Sequence, residues 1–144
     1  MQNKKIGSKL FQLVSGVNFL IALLHFGMVV VGTKAYEFFD AGEELVALSK
    51  KGSLLPALIT LGITLFFGFG GIYTWFGGVK QRKLPLLIPV LLLFAIIYLL
   101  RGLAGMPALV RSAELMDSFI SLICLVVGIM YVFALIVLWK ELKR

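Results

Sequence analysis

Few side chains in this sequence can move protons, attack electrophiles or hold ions. There is one histidine, His25, and one cysteine, Cys124. A lone histidine and a lone cysteine cannot furnish a His/Cys metal cluster. The sequence has no Cys-x-x-Cys pair, no Gly-x-Ser-x-Gly elbow and no phosphate loop. His25 could be one axial haem ligand, a signal that an ordinary interior histidine also gives. Asp40, Glu43 and Glu44 lack a calcium pattern, and Lys34, Lys50 and Lys51 are interspersed among them. No catalytic residue, metal or cofactor is therefore expected, and an enzyme is the less favoured class.

Polar residues matter here because of the elements that must carry them. Of the 144 residues, 60% are hydrophobic and 15% charged, more apolar surface than a soluble domain of this size can bury. That composition also excludes a disordered chain, and a single cysteine excludes a disulfide scaffold. Charge-free runs extend over Leu10 to Thr33, Gly52 to Val79, Leu84 to Leu100 and Ser118 to Trp139. A bilayer core of ~30 Å takes about 20 helical residues, so each can cross, the third only if its helix continues past Arg101 towards Gly105. The reading is an all-α, four-transmembrane-helix bundle with a short outer interfacial helix, one domain over 1–144, with spans of about 10–32, 54–79, 85–105 and 117–139. The first run is too long for a signal-peptide core and lacks a cleavage pattern, so it is expected to be retained.

Charge sets an orientation. Nine basic residues (Lys4, Lys5, Lys9, Lys80, Arg82, Lys83, Lys140, Lys143 and Arg144) fall on one side of the spans. Five (Lys34, Lys50, Lys51, Arg101 and Arg111) fall on the other, with every acid except Glu141. The positive-inside rule then places both termini in the cytoplasm of a bacterial inner-membrane protein. In this layout the chain resembles the small bacterial four-helix inner-membrane proteins, including the broad DoxX-like group; no site or activity is carried over from that likeness.

The connections add detail. Gly77 to Pro85 is a short turn that joins the second and third helices as an antiparallel hairpin. Pro85 suits the first turn of the third helix, and Pro89 would lack its hydrogen bond to residue 85, so that helix is expected to start irregularly or to kink there. Between the first two spans, Asp40 and Glu43 have capping-box spacing, which predicts a helix over about Ala41 to Lys50. Pro107 is the expected start of a second outer segment running into the fourth span.

On helical wheels, Ser15, Asn18, Ala22, His25 and Gly32 share a face of the first span. Thr60, Thr64, Gly68, Gly71 and Gly78 share one of the second, and Asp117, Ser121, Cys124, Gly128 and Tyr131 one of the fourth. Small and hydrogen-bonding residues mark packed interiors in lipid, and the glycines read as packing or turn positions. His25 and Arg101 are costlier in a bilayer and open to two readings, structural or functional. If they act together, the candidate is an outward pocket of His25, Thr60, Tyr98, Arg101, Asp117 and Ser121, with Tyr36 and Glu43 or Glu44 folding over it. The leading function is a non-catalytic accessory, scaffold or protective membrane subunit. The alternative is a small-molecule or proton-coupled transporter or sensor using that pocket. The expected partners are membrane lipids and a homo-oligomer or membrane-protein partner; no nucleic acid is expected.

Overall fold

The computed structural model of the chain describes residues 2–80, 84–105 and 115–142, with side chains over 8–80, 84–105 and 118–140. Six α-helices follow one another: α1 (Gln2–Val31), α2 (Thr33–Phe38), α3 (Glu43–Lys50), α4 (Leu55–Thr74), α5 (Leu87–Ala104) and α6 (Leu115–Leu142). Among the described residues there is no strand. Four helical stretches are long and apolar enough to cross a membrane: Ser8–Val31, Leu55–Val79, Leu87–Ala104 and Ser118–Lys140. None buries more than 28% of its apolar window. Large aliphatic and aromatic side chains such as Leu23, Val30, Leu65 and Phe133 therefore point outwards, which lipid tolerates and water does not.

Two compact units make up the described chain, Met1–Val17 with Gly70–Arg144, and Asn18–Phe69. In the first, buried positions recur at three- and four-residue steps: Phe11, Val14 and Ser15 on α1, Leu91, Phe94, Ala95, Tyr98 and Gly102 on α5, and Ser121, Gly128 and Tyr131 on α6. One narrow stripe per helix is thus internal. Helices α5 and α6 approach each other closely. A Cβ on Gly102 would stand 2.7 Å from the Leu125 backbone nitrogen, and one on Gly128 would stand 2.8 Å from the Leu99 side chain. In lipid, where apolar burial drives no association, such backbone proximity is what lets dispersion contacts form. Gly68, expected to pack, has nothing within 4 Å of the point where a Cβ would stand; its face of the helix is open there, and the packing glycines of α4 and the turn after it lie further along, at Gly70, Gly77 and Gly78.

The end of α4 widens into a π-helical turn, Trp75–Val79, in which the Lys80 N–H bonds the Trp75 carbonyl at 3.0 Å. Gly77 and Gly78 in this turn are buried beneath Leu87 and the Phe11 ring, which occupy the space their Cβ atoms would need. Periodicity cannot reveal this local widening, because the turn is set by what packs on it. The third span starts later than Pro85. Leu86 takes a left-handed conformation (φ 60°) as N-cap and α5 begins at Leu87. Pro89 is then the third helical residue, where an N–H has no helical acceptor in any case; of the two expected outcomes the helix takes the irregular start, at left-handed Leu86, and no lost hydrogen bond calls for a kink. At its far end α5 does pass Arg101 and reaches Ala104.

The second unit holds the other correction. The expected Asp40–Glu43 capping box is not formed: α3 starts at Glu43 behind Gly42 (φ 96°), with no side-chain cap. Asp40 instead sits at φ 49° after an unforeseen helix, α2. Its N–H bonds the Glu37 carbonyl, and the Ala41 N–H bonds the Tyr36 carbonyl at 2.9 Å, the paired reach-back that closes a helix C-terminus. Asp40 thus ends α2 and leaves α3 uncapped by it, since a residue already turned left-handed cannot also serve as an extended N-cap. Gly52 closes α3 by the same device, with Gly52 N–H to Ser49 and Ser53 N–H to Leu48. The expected helix start at Pro107, with Arg111 and Glu114, lies outside the described residues, as do the side chain of Asp117 and those of Lys4, Lys5, Arg82, Lys83, Glu141, Lys143 and Arg144.

Candidate functional site

Tyr98, Arg101 and Ser121 belong to the first unit, and His25, Tyr36, Glu43, Glu44 and Thr60 to the second. Asp117 lies in α6 one turn before Ser121. Each unit uses these residues in its own way.

In the first unit, α5 and α6 bring two of the proposed pocket residues together. Arg101 donates from Nη1 to the Ser121 hydroxyl at 3.0 Å. Ser121 is fully buried while Arg101 is exposed, so a neutral interior hydroxyl orients a guanidinium whose body reaches outwards, as a snorkelling cation does. Gly105 makes the contact possible, because a Cβ there would overlap the Ser121 hydroxyl. One turn along α5, the buried Tyr98 ring stacks on Tyr131 at 5.7 Å between centroids, and Tyr131 stacks on Phe94 at 5.9 Å. The Tyr131 hydroxyl lies 3.4 Å from Thr74 Oγ1. Ser15 donates to the Gly71 carbonyl at 2.7 Å. Thr74 escaped the sequence reading because the wheel stepped from Gly71 to Gly78; its three-residue spacing from Gly71 was the available signal.

In the second unit, His25 Nδ1 lies 2.8 Å from the Ile21 carbonyl one turn earlier. A carbonyl can only accept, so Nδ1 is the donor, and in the neutral ring Nε2 is then the acceptor. The ring stacks on Phe67 with centroids 6.0 Å apart. Thr60 and Thr64 donate to the carbonyls of Pro56 and Thr60 on their own helix, which satisfies each hydroxyl without an interhelical partner. Tyr36 is 2% exposed, and its hydroxyl is buried without a hydrogen-bond partner. Around it α2 and α3 are clipped together by a 2.6 Å hydroxyl contact between Thr33 and Ser49 and a 2.6 Å ion pair between Lys50 and Glu37. Glu43 and Glu44 are exposed in the first turn of α3, where the helix dipole favours carboxylates.

The chemistry available is hydrogen bonding and cation placement. Among the described residues no three His, Cys, Asp or Glu side chains gather as a metal site needs. His25 Nε2 is the one imidazole atom able to accept from a ligand. Compared with protein-family models, with curated proteins and with solved structures, the chain has no match.

Proposed function

We propose that the chain is a multi-pass protein of the bacterial inner membrane, both termini cytoplasmic, acting without catalysis as an accessory or scaffold subunit through its lipid- and partner-facing surfaces. The observation that carries this reading is the employment of the polar side chains in the apolar helices. Ser15, Thr60, Thr64, Arg101 and His25 each bond a carbonyl or hydroxyl of the protein itself. A translocation path needs polar groups that exchange partners with a passing solute, whereas a scaffold needs them satisfied within the protein. The broad outward display of apolar side chains suits lipid and membrane partners.

The second reading is a ligand-binding transporter or sensor, favoured by the orphaned Tyr36 hydroxyl and the His25 lone pair. Both are tested on the full chain. Purification in mild detergent with mass analysis should recover a membrane-protein partner or a homo-oligomer under the scaffold reading. Reconstituted solute or proton flux that disappears in the His25→Leu/Arg101→Leu double variant would overturn it in favour of the transporter.

A further inference from the structure

Lys9, Lys80 and Lys140 stand at three helix ends of one unit, beside the start of the Ser8–Val31 span, after the Leu55–Val79 span and at the close of the Ser118–Lys140 span. The Phe11 ring fills the space over Gly78. Lys9 and Lys80, each two residues from that contact, are therefore brought to the same end of the unit. All three lysines are exposed, and among the described residues none is in an ion pair. The sequence adds Lys4, Lys5, Arg82, Lys83, Lys143 and Arg144 within a few residues of the same helix ends, against one acid, Glu141.

We infer that this end of the protein is a selective site for anionic phospholipid, with the lysines holding the headgroup phosphates and the helix flanks holding the acyl chains. The inference rests on the membrane reading above and names its lipid partner. Charge complementarity selects an anion. Amphiphilicity selects a lipid over free phosphate or an acidic soluble protein, because Lys9 and Lys80 each lie four residues from an exposed apolar side chain, Leu13 on α1 and Phe76 in the turn after α4, and Lys140 directly follows the exposed Trp139 on α6. An ammonium is a compact point charge that suits a phosphodiester without demanding bidentate geometry, and indole rings settle at the headgroup boundary. The contribution of each lysine near an anionic surface corresponds to about fivefold in affinity, so removal of three should weaken binding about a hundredfold.

The test uses the full chain in vesicles containing equal amounts of phosphatidylglycerol and phosphatidylcholine with identical acyl chains. It is followed by detergent extraction and native mass spectrometry of retained lipid. Preferential retention of phosphatidylglycerol that falls with rising salt, and is lost in Lys9→Gln/Lys80→Gln/Lys140→Gln but kept in the matching arginine triple, supports the site. The Lys34→Gln/Lys51→Gln control at other helices should leave retention unchanged. Equal retention of the two lipids, or equal loss in the control, overturns the site, as does displacement of lipid by inorganic phosphate. The salt series needs only the unaltered chain, so the site can still be refuted where a variant folds poorly. Release of the chain from vesicles by alkaline carbonate overturns the membrane reading itself, whereas equal lipid retention in a chain that stays embedded overturns only the site.

Discussion

Replacing Gly102 by alanine tests the close approach of α5 and α6. The added methyl would lie 2.7 Å from the Leu125 nitrogen and 2.9 Å from its Cα. These are backbone atoms of a neighbouring helix, so no side-chain rotation relieves the overlap and the helices must separate. Overpacking of this kind costs about 1–3 kcal/mol, and a rigid obstacle places it near the upper end. Alanine recovers about 1 kcal/mol of helix propensity over glycine, which leaves a net loss of about 2 kcal/mol. Gly62 is the matched control, a helical glycine of α4 with nothing within 4 Å; its alanine variant keeps the propensity gain of about 1 kcal/mol. The two variants should therefore differ by about 3 kcal/mol, more than a hundredfold in the folding equilibrium. Reversible unfolding in mixed micelles, with the denaturing detergent fraction raised stepwise and helicity followed by circular dichroism, measures the difference directly. If Gly102→Ala proves as stable as Gly62→Ala, the backbone proximity of α5 and α6 is refuted.

Three further outcomes can be checked on the same preparation. Leu86→Gly should stabilise the chain by up to about 1 kcal/mol, since a left-handed non-glycine residue is strained and the exposed Leu86 side chain gives up no packing; a loss of stability would show that the αL N-cap of α5 is wrong. Ser15→Ala should cost about 0.6 kcal/mol and no more than about 1.7, the range of hydroxyl bonds between membrane helices, read in the same titration; no change would mean that the Ser15–Gly71 bond carries nothing. In the α2–α3 pair, Ser49→Ala should raise amide exchange in both helices by about fivefold, the equivalent of one hydrogen bond. Glu37→Gln should alter exchange little, because its ion pair with Lys50 is solvent-screened, the two side chains being 45% and 61% exposed. Equal effects would reverse that ranking.

Several features of the fold can be read without coordinates because they depend on quantities local to the chain. The number of candidate spans follows from charge-free runs measured against bilayer thickness, and the structure has four helices long and apolar enough to cross. The buried faces of α1 and α6 follow from three- and four-residue spacing, as Ser15, Asn18, Ser121 and Tyr131 show. The candidate pocket was much less legible. Arg101 and Ser121 do meet, yet a helical wheel could not say that Gly105 must be small for the contact to form. The same wheel treated Thr60 and Thr64 as groups facing other helices, when their hydroxyls bond back to their own. A wheel gives direction only, and a hydroxyl's partner depends on rotamer and neighbour distance.

The sequence by itself determined that the chain is helical, that four stretches can cross a bilayer and that nine of its fourteen basic residues flank alternate ends of those stretches along the chain. Composition, run length and charge placement are one-dimensional properties, and the bilayer acts on them as a uniform solvent. Tertiary structure decided where those helices stop, which glycines are packed and which polar groups are spent. Asp40 became the closure of α2 instead of a cap for α3, Pro89 fell where it costs no hydrogen bond, and the end of α4 opened into a π turn over Gly77 and Gly78. Each of these is settled by competition between a local preference and the atoms brought against it from elsewhere in the chain, and that competition has no counterpart in residue order.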